Sequence, residues 1–233
     1  MRSLLTPPRQ RGSEILDSPD VDPRVVTRSL ADVARSNALF GGLNAAITEI
    51  REALKQVPSR ATLLDVGTGL ADIPRRARDI ADESGVELTT IGLDSAIELV
   101  RASRVSVSWT LCGDALHLPF ADKSVDIVMC SQVLHHFAGA EAIRLLQEMN
   151  RVARVRVIVS DLRRSWAAAA GLWIASFPLR FHAVSRHDGV VSVMRGFTPE
   201  ELVDTVRQAV SRNPEVHRRL GFRVTASWSP AQR

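Results

Sequence analysis

The segment Asp65-Val66-Gly67-Thr68-Gly69-Leu70-Ala71-Asp72-Ile73-Pro74 follows a short apolar run and opens a predicted helix. Gly67 and Gly69 carry no Cβ, so the backbone can turn tightly there and a ligand can lie against its amides. Pro74 suits a first helical turn, where the missing N–H has no partner to lose. A dinucleotide fingerprint would place a third glycine where Asp72 stands, because a pyrophosphate packs closely at that point. A carboxylate there repels a pyrophosphate and suits the ammonium of an amino-acid-like ligand. Asp94, followed by Ser95, ends the run Thr90-Ile91-Gly92-Leu93-Asp94 at the distance from the glycines at which an acid accepts both ribose hydroxyls. It is equally placed to cap a helix starting at Ala96. Gly113-Asp114-Ala115-Leu116 comes after the third such run. Asp114 is a candidate for an adenine amino group, with Ala115 or Leu116 against the ring, or a cap of its own loop.

A second set of candidates could act on an acceptor. The fourth run ends in Ser131-Gln132-Val133-Leu134-His135-His136-Phe137. In open α/β sheets ligands bind beyond the carboxyl ends of the strands, which makes Ser131 a cofactor contact and puts two imidazoles at the rim. A histidine there can take the proton of a phenol; His136 is the first candidate and His135 the second, with packing the other reading for both. Arg163 and Arg164 are read as contacts for an acidic group on the substrate, or else as ordinary exposed arginines. Trp166, Trp173, Phe177 and Phe181 are expected to enclose an aromatic or lipidic molecule. The segment His182 to Phe197 reads as a substrate loop, in which His187 beside Asp188 is a further base and substrate contact. Cys112 and Cys130 lack the spacing of a zinc site, so buried reduced thiols and no metal centre are expected.

These groups need a scaffold, and the apolar pattern describes one. Ala61 to Val66, Glu87 to Leu93, Ser106 to Cys112, Val125 to Cys130 and Val152 to Val159 read as strands. They alternate with helical stretches at Ile73 to Glu83, Ala96 to Ser103 and Ala140 to Arg151, the order of a parallel sheet. Thr198-Pro199-Glu200-Glu201 starts another helix, and strands at Glu215 to Leu220 and Phe222 to Trp228 turn around Gly221. Residues 1–23 read as a mobile N-terminal arm, residues 24–58 as two helices, broken at Gly41-Gly42, that cover the site, and residues 59–233 as the catalytic domain.

The elements from Leu63 to Asp161, taken together, resemble the class I S-adenosylmethionine-dependent methyltransferases, in particular their ubiquinone-biosynthesis-like small-molecule branch. Asp65-Val66-Gly67-Thr68-Gly69 resembles the family's first motif, with Ala71 where a third glycine can stand. Asp94 resembles its ribose acid, Gly113-Asp114-Ala115 its adenine-side motif, and Pro119-Phe120-Ala121-Asp122-Lys123-Ser124-Val125-Asp126 its approach to the fourth strand. The resemblance implies a Rossmann-like, doubly wound α/β fold with a seven-stranded sheet whose last strand is reversed. It also implies S-adenosyl-L-methionine as cofactor and an acceptor lid inserted near residues 162–197.

The expected activity is O-methylation of a phenolic or polyketide-like small molecule. C-methylation of a quinone precursor and a non-catalytic S-adenosylmethionine-binding module are the alternatives. The charge of +4 on 233 residues, with scattered arginines, speaks against a nucleic-acid partner. The stretch from Trp166 to Phe181 is shorter than the ~20 residues of a spanning helix, and Gly171 and Pro178 interrupt it, so no membrane insertion is expected. A cytoplasmic monomer or homodimer is the remaining expectation.

Overall fold

The computed structural model describes residues 6–10, 12–18 and 20–231. Of the expected arm, positions 1–5, 11 and 19 lie outside the described residues.

Two helices, α1 (Pro23–Leu39) and α2 (Gly42–Leu54), precede a stretch in which strands and helices alternate with one exception. That stretch runs β1 (Arg60–Val66), α3 (Asp72–Glu83), β2 (Glu87–Asp94), α4 (Ile97–Ser103), β3 (Trp109–Cys112), β4 (Val125–Ser131), α5 (Ala140–Val152) and β5 (Ala153–Leu162), and a loop joins β3 to β4. Helices α6 (Trp166–Ser176), α7 (Ala183–Arg195) and α8 (Pro199–Val210) lead to the closing hairpin, β6 (Glu215–Arg219) and β7 (Arg223–Trp228). The strands form one sheet in the order β3-β2-β1-β4-β5-β7-β6. All pairs from β3 to β5 are parallel, and β7 is antiparallel to both of its neighbours. This is the doubly wound α/β sheet with a reversed last strand.

The central strands are covered on both faces, which is why they read as continuous apolar runs rather than alternating ones. Ile50, Ile80, Leu63, Ile127 and Met129 close one face under α2 and α3, while Leu64, Val128, Leu145, Met149, Leu202 and Val206 close the other under α5 and α8. Chain order reverses between β1 and β4, so a crevice opens at the carboxyl ends of those two strands.

Several expectations change here. The segment His182 to Phe197 is helical rather than a loop: His182 caps α7 by accepting from the Val184 N–H at 3.3 Å. The polar residues that suggested a loop are inward ties, Ser185 Oγ donating to Asp32 at 2.9 Å and Asp188 facing the arm. β3 starts at Trp109 instead of Ser106, because the Ser106 N–H already closes the turn after α4 onto Ser103. Since β3 is an edge strand, Cys112 is exposed; only Cys130, in β4, is a core thiol.

The described part of the arm is tied down. The Ile15 and Leu16 N–H groups donate to the two Asp188 oxygens, each at 2.9 Å, the Gln10 N–H to Met194 O at 3.2 Å, and Arg164 Nε to Pro7 O at 2.8 Å. No helix among the described residues is long and apolar enough to cross a membrane.

Candidate active site

The glycine turn leaves β1 with φ +72° at Gly67, where a Cβ would lie 2.4 Å from Val133 Cγ2. Only glycine satisfies both the dihedral and the packing. The Gly67 and Thr68 N–H groups donate to Leu93 O at 2.8 and 3.0 Å, which locks the turn to the end of β2. Asp94 accepts from the Gly69 N–H and the Ala96 N–H, each at 3.0 Å, so it braces the glycine loop and the turn that leads into α4, whose N-cap is Ala96 itself and not Asp94. A carboxylate offers about four lone-pair sites, so both oxygens keep acceptor capacity for ribose hydroxyls.

Asp65 is buried; its Oδ2 accepts from Thr68 Oγ1 at 2.9 Å, while Oδ1 has no partner. Burial pushes its carboxyl up to about 7, against the Thr68 bond and with the charge of Asp94. Ser131 Oγ, at the end of the adjacent β4, is likewise buried without a partner. Two orphaned polar atoms at the reversal of strand order fit a ligand that brings both an ammonium and further polar atoms.

Around them, Ser95 is exposed beside Asp94, and Gly113, Asp114 and Ala115 follow β3. Asp114 is occupied locally by the Leu116 N–H and His117 Nδ1, both at 2.8 Å, and these bonds hold its carboxyl below the usual range. Asp72 stands exposed at the start of α3, where it pairs with Arg75 at 3.2 Å.

Beyond the ends of β4 and β5 lies a cavity of about 370 Å³. Leu16, Val33, Phe40, Leu172 and Phe181 make its apolar walls, and Glu14, Asn37, Gln132, His135, His136 and Arg223 its polar points. Helix α1 thus covers the site, whereas α2 packs on the sheet. Gly221 permits the closure: its φ is +70°, and a Cβ there would lie 1.9 Å from Phe40 O.

The two histidines differ. His135 is buried, its Nδ1 is 2.7 Å from Asp161 Oδ1, and its N–H donates to Asp161 Oδ2 at 3.1 Å. A carboxylate only accepts, so Nδ1 carries a hydrogen, and in the neutral imidazole the lone pair is on Nε2, which makes no hydrogen bond and stands 3.9 Å from Glu14 Oε1. Burial alone pushes the Asp161 carboxyl up, but the charge and hydrogen bond of His135, with the Leu162 N–H, hold it below the ordinary range. His136 is exposed, with its ring 4.3 Å from that of His135 and its Nδ1 3.3 Å from Arg195 Nη1. Glu14, His135 and His136 bring potential metal ligands within 4.8 Å of one another. The Arg195 guanidinium already stands 3.1 Å from Glu14 Oε1, so the protein itself supplies positive charge there.

The residues expected to contact substrate lie elsewhere. Arg164 is buried in a structural network with Glu201 and two carbonyls. Arg163 stacks over the Phe222 ring at 5.0 Å, outside the cavity wall. Trp166, Trp173 and Phe177 are about half exposed, because α6 packs through its alanines and turns these rings outward; of the four aromatics only Phe181 lines the cavity. His187 sits on the outer side of α7, 2.8 Å from Asp188, and is not in the wall. Asp161 and Arg223 carried no local motif, although Asp161 occupies the end of a parallel strand, a position that itself points to ligands.

A family model described as a methyltransferase domain matches residues 64–159. The demethylmenaquinone methyltransferase of Roseiflexus sp. (strain RS-1) is 26% identical over 239 residues, covering 91% of this chain and 95% of that protein. That of Deinococcus radiodurans is 31% identical over 182 residues, covering 74% of this chain and 71% of that protein. A solved plantazolicin methyltransferase in complex with SAH superimposes with a TM-score of 0.64 over 89% of this chain and 96% of that one, at 12% identity, a likeness of fold alone.

Proposed function

The chain belongs to the class I S-adenosylmethionine-dependent methyltransferases, and from that premise we propose that it methylates a small hydroxyaryl acceptor at oxygen, with His135 taking the hydroxyl proton. S-adenosylmethionine, the cofactor of the family, supplies a methyl group on a sulfonium, with a neutral thioether as leaving group. In this reading Asp94 holds the ribose hydroxyls, Asp65 Oδ1 and Ser131 the amino-acid end, and the loop at Gly113 and Asp114 the adenine. The remaining task of the protein is to align the acceptor and remove its proton.

The observation that carries the reading is the His135–Asp161 pair. Asp161 fixes the tautomer and balances the imidazolium that forms, and the free Nε2 belongs to a side chain in the cavity wall. The hydroxyl proton passes to Nε2 as the oxygen gains the methyl group. The apolar walls keep bulk water from competing as the nucleophile. Cavity residues come from α1 and from the segment at 162–197, which acts as the acceptor lid. The names of the two relatives favour a second reading, methylation at carbon of a quinol. The same base would serve, since a deprotonated quinol places charge on its ring carbon.

Incubation with methyl-labelled cofactor and a panel of naphthols and naphthoquinols, followed by NMR of the product, separates O-methyl from C-methyl. His135→Gln is expected to lower kcat by about a hundredfold to ten-thousandfold, the range for a positioned base, with S-adenosylhomocysteine binding unchanged. Full turnover in that variant would remove His135 from the reaction.

A further inference from the structure

Arg164 and Arg223 are equally buried, each 3% exposed, and their surroundings are opposite. Arg164 has every need met: it donates to both Glu201 oxygens at 2.9 and 2.7 Å, to Pro7 O and to Gly196 O. Arg223 is the first residue of β7, and its side chain makes no hydrogen bond or ion pair with any described residue, its Nε being buried without an acceptor. It lines the same cavity as His135 and Gln132. The carboxylate whose charge acts on it is Asp161, whose oxygens are already committed to His135 and the Leu162 N–H.

An isolated buried guanidinium is costly, and arginine does not escape by losing its proton at neutral pH. Burial lowers its pKa only to about 10, against the pull of Asp161. Such a group makes physical sense where a ligand brings the missing acceptors, and the planar fork of arginine matches two carboxylate oxygens. Leu16, Val33, Phe40, Leu172 and Phe181 offer an apolar side for a flat hydrophobic body. The carboxylates that also line the cavity have partners of their own: Asp32 accepts from the His182 N–H and Ser185, Asp188 from the Ile15 and Leu16 N–H groups, and Glu14 pairs with Arg195 and Ser192.

We propose that Arg223 anchors a carboxylate of the acceptor, so that the molecule methylated in this cavity is a hydroxyaryl acid rather than an uncharged phenol or quinol. This rests on the reading of the cavity as the acceptor site. The carboxylate neutralises Arg223 and leaves Asp161 to serve His135 alone.

The test uses 2-naphthoate and 2-naphthamide, equal in shape and lacking a hydroxyl to methylate, titrated calorimetrically into protein saturated with S-adenosylhomocysteine. The carboxylate is expected to bind at least tenfold more tightly than the amide. That preference should disappear in Arg223→Met, whose melting temperature should equal or exceed the parent's because an unpaired buried charge is gone. Equal affinities, no carboxylate binding at millimolar concentration, a preference that survives in Arg223→Met, or a variant that cannot fold would each overturn the anchor. Carboxylate preference in a protein that transfers no methyl group would leave the anchor standing and remove the proposed activity instead.

Discussion

The proposed cofactor rim is held together by short reaches along the chain, whereas the proposed acceptor wall is held by long ones. Thr68 bonds Asp65 three residues away, and Gly69 bonds Asp94 across 25. Behind the acceptor wall Ile15 bonds Asp188 across 173 residues, His182 bonds Asp32 across 150, and Arg164 reaches Pro7 across 157. The first region is a set of strand-end turns that the sheet positions automatically. The second exists only when the arm, α1, α7 and the final hairpin converge. A cofactor common to many reactions suits the first construction, and an acceptor that differs between enzymes suits the second.

The comparison is open to perturbation from either side. The largest effect belongs to Asp65. Its buried carboxyl, raised to about 7, is protonated below that pH, while an ammonium partner requires the carboxylate. Affinity for S-adenosylhomocysteine should therefore rise about tenfold per pH unit from pH 5 to pH 7 and level off above. Calorimetry should show this slope in the parent and a weak, flat profile in Asp65→Asn. For the protein without cofactor the sign is opposite: Asp65 favours the fold fully below its unfolded value near 4, and this contribution is lost as pH rises through about 7.

Asp188→Ala probes the other region. It strips two arm N–H groups of their acceptor, at a cost of about 1–3 kcal/mol, and should weaken acceptor binding about tenfold while cofactor affinity stays within twofold. Equal losses of both ligands would show that the two regions are coupled rather than separate. The smallest effect is expected at Ala71, which holds φ +58° just before α3. Ala71→Gly removes a left-handed penalty of about 1 kcal/mol, partly offset by the chain entropy of glycine. A thermal melt should rise by about 2 °C or less, and a fall would mean that the methyl group's packing outweighs the strain.

The same division governs what could be read in advance. Gly67, Asp94 and the run of strands and helices were legible because each depends on backbone geometry and on neighbours within one βαβ unit. The arginines misled for the opposite reason. Arg163 and Arg164 follow a strand end and look like ligand contacts, yet Arg164 is consumed by Glu201 and the arm. Arg223, whose neighbours in sequence say nothing, is the one left unpaired in the cavity. The sequence ranked His136 ahead of His135, whereas it is His135 that pairs with Asp161, 26 residues on.

The sequence by itself determined the α/β architecture and the glycine turn after the first strand, because periodicity and glycine chemistry act locally, while the reversed last strand was legible only through the family resemblance. Only the tertiary structure decided which histidine pairs with Asp161, which cavity arginine lacks a partner, and that the described part of the arm forms part of the wall. Those properties depend on which distant groups meet in a low-dielectric interior, where a single acceptor present or missing changes what a charge can do.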